Sequence, residues 1–143
     1  MSVKQISVFL ENKPGMLNQM TAELAKSGIN MRALSLAETK DFGIARIIAD
    51  DTLSAMNALK ENGFIAALTP VLAFEIPNEA GGLNHLLQTL TDAEVNIEYM
   101  YAFLGGKKNS AYMIFKVTGH HRATALLTEK GFRLVDQEEL CEL

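Results

Sequence analysis

The sequence predicts an α+β protein built as two tandem βαββαβ units, each an antiparallel sheet with helices on one face. Three observations lead there. The chain is written twice: Asn12, Gly15, Leu17, Asn18, Leu24 and Asn30 recur as Asn78, Gly81, Leu83, Asn84, Leu90 and Asn96, all at an offset of 66 (12 to 78, 30 to 96). Further on, Ala55, Leu59, Glu61, Gly63 and Phe64 recur as Ala123, Leu127, Glu129, Gly131 and Phe132 at an offset of 68, the two extra residues falling in Gly105-Gly106-Lys107-Lys108. Self-similarity at such a period means one supersecondary unit used twice. Apolar spacing then switches between period two and period 3.6 in the same order in both copies.

In the first copy, Ile6, Val8 and Leu10 share one face of a strand over Gln5–Leu10. Glu11-Asn12-Lys13-Pro14-Gly15 is a turn that opens a helix, with Pro14 expected in the first helical turn, where a missing N–H costs nothing. Leu17, Met20, Thr21, Leu24 and Ala25 make one helical face, and Gly28 ends it. Ile29 to Glu38 alternates again, with Leu34 and Leu36 opposite to Ala33, Ser35 and Ala37. Lys40-Asp41 reads as a hairpin turn and Gly43–Ala49 as a third strand. Asp51-Thr52 caps a second helix with Leu53, Met56 and Leu59 inward, and Gly63 stops it. From Phe64 the chain runs through Thr69-Pro70 towards Val71.

The second copy repeats the order with Val71–Ile76, Gly82–Asp92, Val95–Leu104, Ser110–Thr118, Arg122–Lys130 and Phe132–Val135. Strand, helix, strand, strand, helix, strand is the ferredoxin-like arrangement. The expected domains are 1–70 and 71–143. An isolated unit that size buries only about 60% of its unfolded surface, so each half leans on the other or on a partner chain. The face without helices should carry Ser7, Phe9, Ile44, Arg46 and Ile48 in the first copy, and Tyr99, Tyr101, Phe103, Tyr112 and Ile114 in the second. The second set is too apolar for water, which predicts an interface, expected here as a homodimer.

Composition narrows the function classes. Hydrophobic content of 48%, charged content of 21% and a net charge of −4 describe a soluble globular chain without the clustered Lys and Arg that nucleic acid requires. An RNA-binding sheet with Tyr99, Tyr101, Phe103 and Tyr112 as a stacking platform is opposed by that charge balance. One cysteine, Cys141, excludes an internal disulfide framework and fits a reducing, cytoplasmic setting. No run approaches the about 18 apolar residues of a membrane span. His85 reads as a helix-surface or interface residue, His120-His121 as a solvated helix start, and Asp136 to Glu142 as a solvated tail or edge. No metal-ligand spacing, nucleophile pattern or nucleotide fingerprint appears, so no catalytic residue, metal or cofactor is expected.

What remains is the junction between first strand and first helix. Its backbone N–H groups lack internal partners and favour a carboxylate. Gly15, and Gly81-Gly82 in the copy, let a ligand approach the backbone. Asn12 and Asn30 offer an acceptor and two donors each, a pair able to hold both ends of a zwitterion without adding charge. Met16 and Met31, or Gly82 and Ile97, supply the walls.

Leu10-Glu11-Asn12-Lys13-Pro14-Gly15-Met16-Leu17, followed by Gly28-Ile29-Asn30-Met31, resembles the ACT domain, the regulatory amino-acid-binding module of many biosynthetic enzymes. The resemblance covers nearly the whole chain as two copies, strong in the first and weaker in the second. Stand-alone tandem ACT proteins are its best match. The regulatory subunit of acetolactate synthase, with a similar Glu-Asn-x-Pro-Gly segment, is the alternative and implies an enzyme partner. The resemblance implies a non-catalytic sensor of a free amino acid. Units would align through edge strands, each pocket using the first loop of one repeat and the second strand of the other. The implied contacts are Asn12, Lys13, Pro14, Gly15, Met16, Leu17, Asn30 and Met31. In the copy they are Asn78, Glu79, Ala80, Gly81, Gly82, Leu83, Asn96 and Ile97. Ala80, Gly82 and Glu94 depart from the motif, and the extra glycine predicts a looser, roomier second loop.

Overall fold

Residues 2–143 are described by a computed structural model. The elements run β1 (Val3–Glu11), α1 (Met16–Lys26), β2 (Met31–Glu38), β3 (Phe42–Ala49), α2 (Thr52–Glu61), β4 (Ile65–Pro77), α3 (Gly82–Asp92), β5 (Ile97–Ala102), β6 (Ser110–Val117), α4 (His120–Glu129), β7 (Arg133–Leu134) and α5 (Gln137–Glu142). The chain divides into a first unit, Lys4–Thr69, and a second, Pro70–Leu143 with residues 2–3. The α+β class and the doubled βαββαβ order are as the periodicity predicts. The strands placed on either side of Thr69-Pro70 form a single 13-residue strand, β4.

In the first unit the strand order is β2-β3-β1-β4, with β3 antiparallel to both β1 and β2. Ile6 faces Ile47, Val8 faces Ala45 and Leu10 faces Gly43, which sets one apolar face against Met20, Leu24, Ala55 and Leu59 of the helices. The pairing of β2 slips by one between Met31 and Ala33. This bulge lets both Met31 and Leu34 pack on the helix side, three residues apart, where strict alternation forbids it.

The second unit has order β5-β6-β4-β7 and repeats the slip between Ile97 and Tyr99, so Ile97 and Met100 both reach its core. That core holds Leu72, Phe74, Leu86, Leu90, Phe115, Val117 and Leu127. The rings of Phe74 and Phe115 sit 6.4 Å apart.

Three expectations need correction. Pro14 is not in the first turn of α1: Gly15, at φ 87°, separates it from Met16, and Gly81 at φ 86° does the same before α3. Residues 136–142 are not a solvated tail. Asp136 caps α5 by accepting from Glu139 N–H at 2.8 Å, and Leu140 is fully buried.

The aromatic face of the second unit is not open either. Tyr101, Phe103, Tyr112 and Ile114 are buried within the chain, and Tyr99 is half-buried. Phe103 packs edge-on to Tyr112, and the β5–β6 loop folds back so that a Cβ on Gly106 would fall 2.3 Å from the Tyr112 ring. Those side chains are therefore unavailable as a surface for a second copy, or as a platform for bases. On the first unit Ile48 is buried too, while Phe9 stays 49% exposed.

Candidate functional site

The first-unit loop is assembled by Asn12. Its Nδ2 donates to Glu38 Oε2 at 3.2 Å, to the Thr39 carbonyl at 3.2 Å and to the Lys40 carbonyl at 3.3 Å. Its backbone N–H donates to the Asp41 carbonyl at 2.9 Å. These bonds tie the end of β1 to the β2–β3 turn, itself closed by Thr39 N–H on the Phe42 carbonyl. Both donors of the amide are thereby engaged, while Oδ1 has no donor among the described residues. Lys13 pairs with Glu11 at 3.1 Å, and Pro14 and Gly15 are exposed.

Gly15 turns the chain into α1 without a side-chain cap. The N–H groups of Leu17 and Asn18 have no carbonyl partner among the described residues. Leu10, Asn12, Met16, Leu17, Leu36 and Glu38 surround a cleft of about 70 Å³ here. It offers acceptors (Asn12 Oδ1, Glu38) beside N–H donors, over an apolar floor. Glu38 and Leu36 were not foreseen from the sequence; the hairpin turn that brings them to Asn12 was the available signal.

Asn30 does not join this group. Strands β1 and β2 run parallel, because each is antiparallel to β3. Asn12 follows the end of β1, opposite Asp41, and Asn30 precedes the start of β2, opposite Asp50, so they stand at opposite ends of the sheet. Within one unit the two amides therefore do not meet. Asn30 bonds to Asp50 through its own backbone: its N–H donates to the side-chain Oδ1 of Asp50 and its carbonyl accepts from Asp50 N–H, both at 3.1 Å. Met31 packs on the first core.

The second loop differs. Asn78 N–H donates to the Asn109 carbonyl at 2.9 Å, the backbone counterpart of the Asn12 bond, but its side chain engages nothing among the described residues. Gly82 is buried, and a Cβ there would lie 2.3 Å from the Pro77 carbonyl oxygen. The space that Met16 fills in the first loop is taken by backbone, which overturns the expectation of a looser, roomier loop. Glu79, Ala80 and Gly81 are exposed, while Leu83 and Ile97 pack on the core. Asn96, at the far end of the sheet, accepts from Thr118 N–H at 3.1 Å. Glu94, in the place of Gly28, keeps the left-handed backbone at φ 56°.

Among the described residues no group of three or more His, Cys, Asp and Glu is placed to hold a metal, and no helix is long and apolar enough to cross a membrane. His85 packs its ring on Phe132 at 5.2 Å. His120 is half-buried at the start of α4, where burial and then the neighbouring His121 push its pKa down.

The duplicated βαββαβ order, with the same loop-to-helix junction in both halves, defines a tandem pair of ferredoxin-like units. The chain belongs to the family of ACT domain pairs, which matches residues 1–143; this is a regulatory domain. Protein BT0572 from Bacteroides thetaiotaomicron is 39% identical, with a TM-score of 0.92, over 100% of this chain and 98% of that one. The regulatory subunits of aspartate kinase from Thermus thermophilus (16% identity, TM-score 0.66, 90% of this chain and 92% of that one) and Thermus flavus (18%, 0.61, 87% and 88%) share the fold. None of the curated proteins matches the sequence.

Proposed function

We propose that this chain is a non-catalytic sensor that binds a free amino acid at the first-unit loop. The observation that carries the reading is the divided use of Asn12. Its amide nitrogen holds the loop together, which leaves Oδ1, beside Glu38, to accept from an ammonium group. The unpaired N–H groups of Leu17 and Asn18 stand ready for the carboxylate. Met16, Leu17 and Leu36 favour an apolar side chain. A cleft of about 70 Å³ accommodates the amino-acid core and leaves the side chain to be covered by a second chain, from which Asn30 reaches the ligand that it cannot reach in its own unit. On this reading the chain works as a homodimer in the cytoplasm and passes occupancy to an enzyme partner.

The test is a thermal-shift panel of the twenty amino acids. A ligand at 100 times its Kd adds about 2.7 kcal/mol, a rise of roughly 5–10 °C for a chain of this size. One amino acid should give that rise, and Asn12→Ala should remove it. A flat panel, or an undiminished shift in Asn12→Ala, would overturn the reading.

A further inference from the structure

Each unit carries a cleft at the same place, where the end of a central strand outruns its edge neighbour beside the first helix. In the first unit it lies among Leu10, Met16, Gly63 and Phe64 and measures about 280 Å³. The counterpart in the second lies among Ile76, Pro77, Gly131 and Phe132 and measures about 490 Å³, within the range of small-molecule pockets. It opens because β7 pairs only with Phe74 and Glu75 while β4 continues to Pro77.

The linings differ in kind. Phe9, Gln19, Phe42, Asn62 and Ile65 in the first cleft are matched, at offsets of 66 and 68, by Glu75, His85, Ser110, Lys130 and Arg133 in the second. The first cleft carries one carboxylate, Glu11, and no cation, whereas Lys130 and Arg133 bring cations into the second, so the fold forms the notch without them. We infer that the second-unit cleft is a binding site, separate from the loop, for a small carboxylate with an apolar body.

Glu75 is already satisfied: Ser110 Oγ donates to Oε1 at 2.7 Å and Arg133 Nη1 to Oε2 at 2.5 Å. Arg133 is held further by Glu139. Lys130 Nζ and the His85 ring nitrogens have no hydrogen-bond or ion-pair partner among the described residues. Arg133 is shared between Glu75 and Glu139, so Lys130 is the lining cation left without a carboxylate partner among the described residues. Ile76, Pro77 and Phe132 give the apolar floor, and the His85 ring is fixed on that of Phe132. A carboxylate at Lys130 with its hydrocarbon against Phe132 meets both demands.

The experiment is a 1H–15N NMR titration of the full chain with benzoate, and with neutral benzamide as its isostere. Benzoate should move the Gly131 and Phe132 amides in a saturable way, benzamide should not, and Lys130→Gln, an exposed substitution, should weaken benzoate about tenfold. Asn12→Ala should leave benzoate binding unchanged, which separates this site from the loop. No saturable shift at Gly131 and Phe132, equal binding of benzamide, or full affinity in Lys130→Gln would overturn the inference.

Discussion

At the scale of single residues, two positions decide the difference between the copies. Asn12 uses one amide for two tasks, loop closure and an unfilled acceptor, whereas Asn78 has kept the residue without the side-chain bonds. Gly82 shows the opposite logic. A glycine reads in sequence as added freedom, yet the Pro77 carbonyl occupies the place of its Cβ. Gly82→Ala must push backbone against backbone, and overpacking of this kind costs about 1–3 kcal/mol. Urea denaturation should show the loss; an unchanged midpoint would mean that the second loop yields at no cost. Nothing at that position reports the closure in the sequence, because the contact comes from Pro77, five residues upstream and on another element.

Among the elements, what was legible follows from periodicity. The four long helices and the alternating strands declare themselves through spacing, and Gly28, Gly63 and Gly131 punctuate them. The bulges in β2 and β5 were not legible, since a one-residue slip is set by pairing with β3 and β6 rather than by either strand alone. Of the candidate site, the turn at Asn12 was legible, whereas the separation of Asn12 from Asn30 within a unit was not, because the parallel course of β1 and β2 is a matter of topology. The acidic end was misread because Leu140 is one apolar residue among carboxylates. Its burial predicts that Leu140→Ala lowers stability by about 2–5 kcal/mol, while exposed Glu138→Ala stays within about 0.5 kcal/mol. Guanidinium melts of the two variants check this. Element pairing also sets an acid response. The Ser110 hydroxyl, then Arg133, hold the Glu75 carboxyl below its ordinary range. The folded state therefore gains from this group above the unfolded value of about 4.3, and loses that gain as pH falls through the lower folded value. Glu75→Gln should flatten the dependence of Tm on pH in that acid window; a parallel profile would show that the ion pair contributes nothing to it.

For the whole molecule, duplication has left two units with one fold and unequal loops. The first has Asn12 engaged at its turn, Met16 at the start of α1 and a cleft between them. The second keeps the backbone course, down to the left-handed residue 94, but has Gly82 sealed by Pro77 and an Asn78 side chain that binds nothing in its own unit. If ligand recognition depends on the Asn12 arrangement, a chain holds one amino acid rather than two, even though the family signature is present in both halves. Calorimetric titration with the amino acid picked out by the thermal panel should give a stoichiometry of one per chain. Gly81→Ala, placed in the second loop at φ 86°, should leave that stoichiometry and affinity unchanged while lowering stability, because left-handed backbone disfavours a Cβ. A stoichiometry of two that persists in Lys130→Gln would mean that the Pro77 closure opens on binding, and that the second loop is a site held shut rather than one lost.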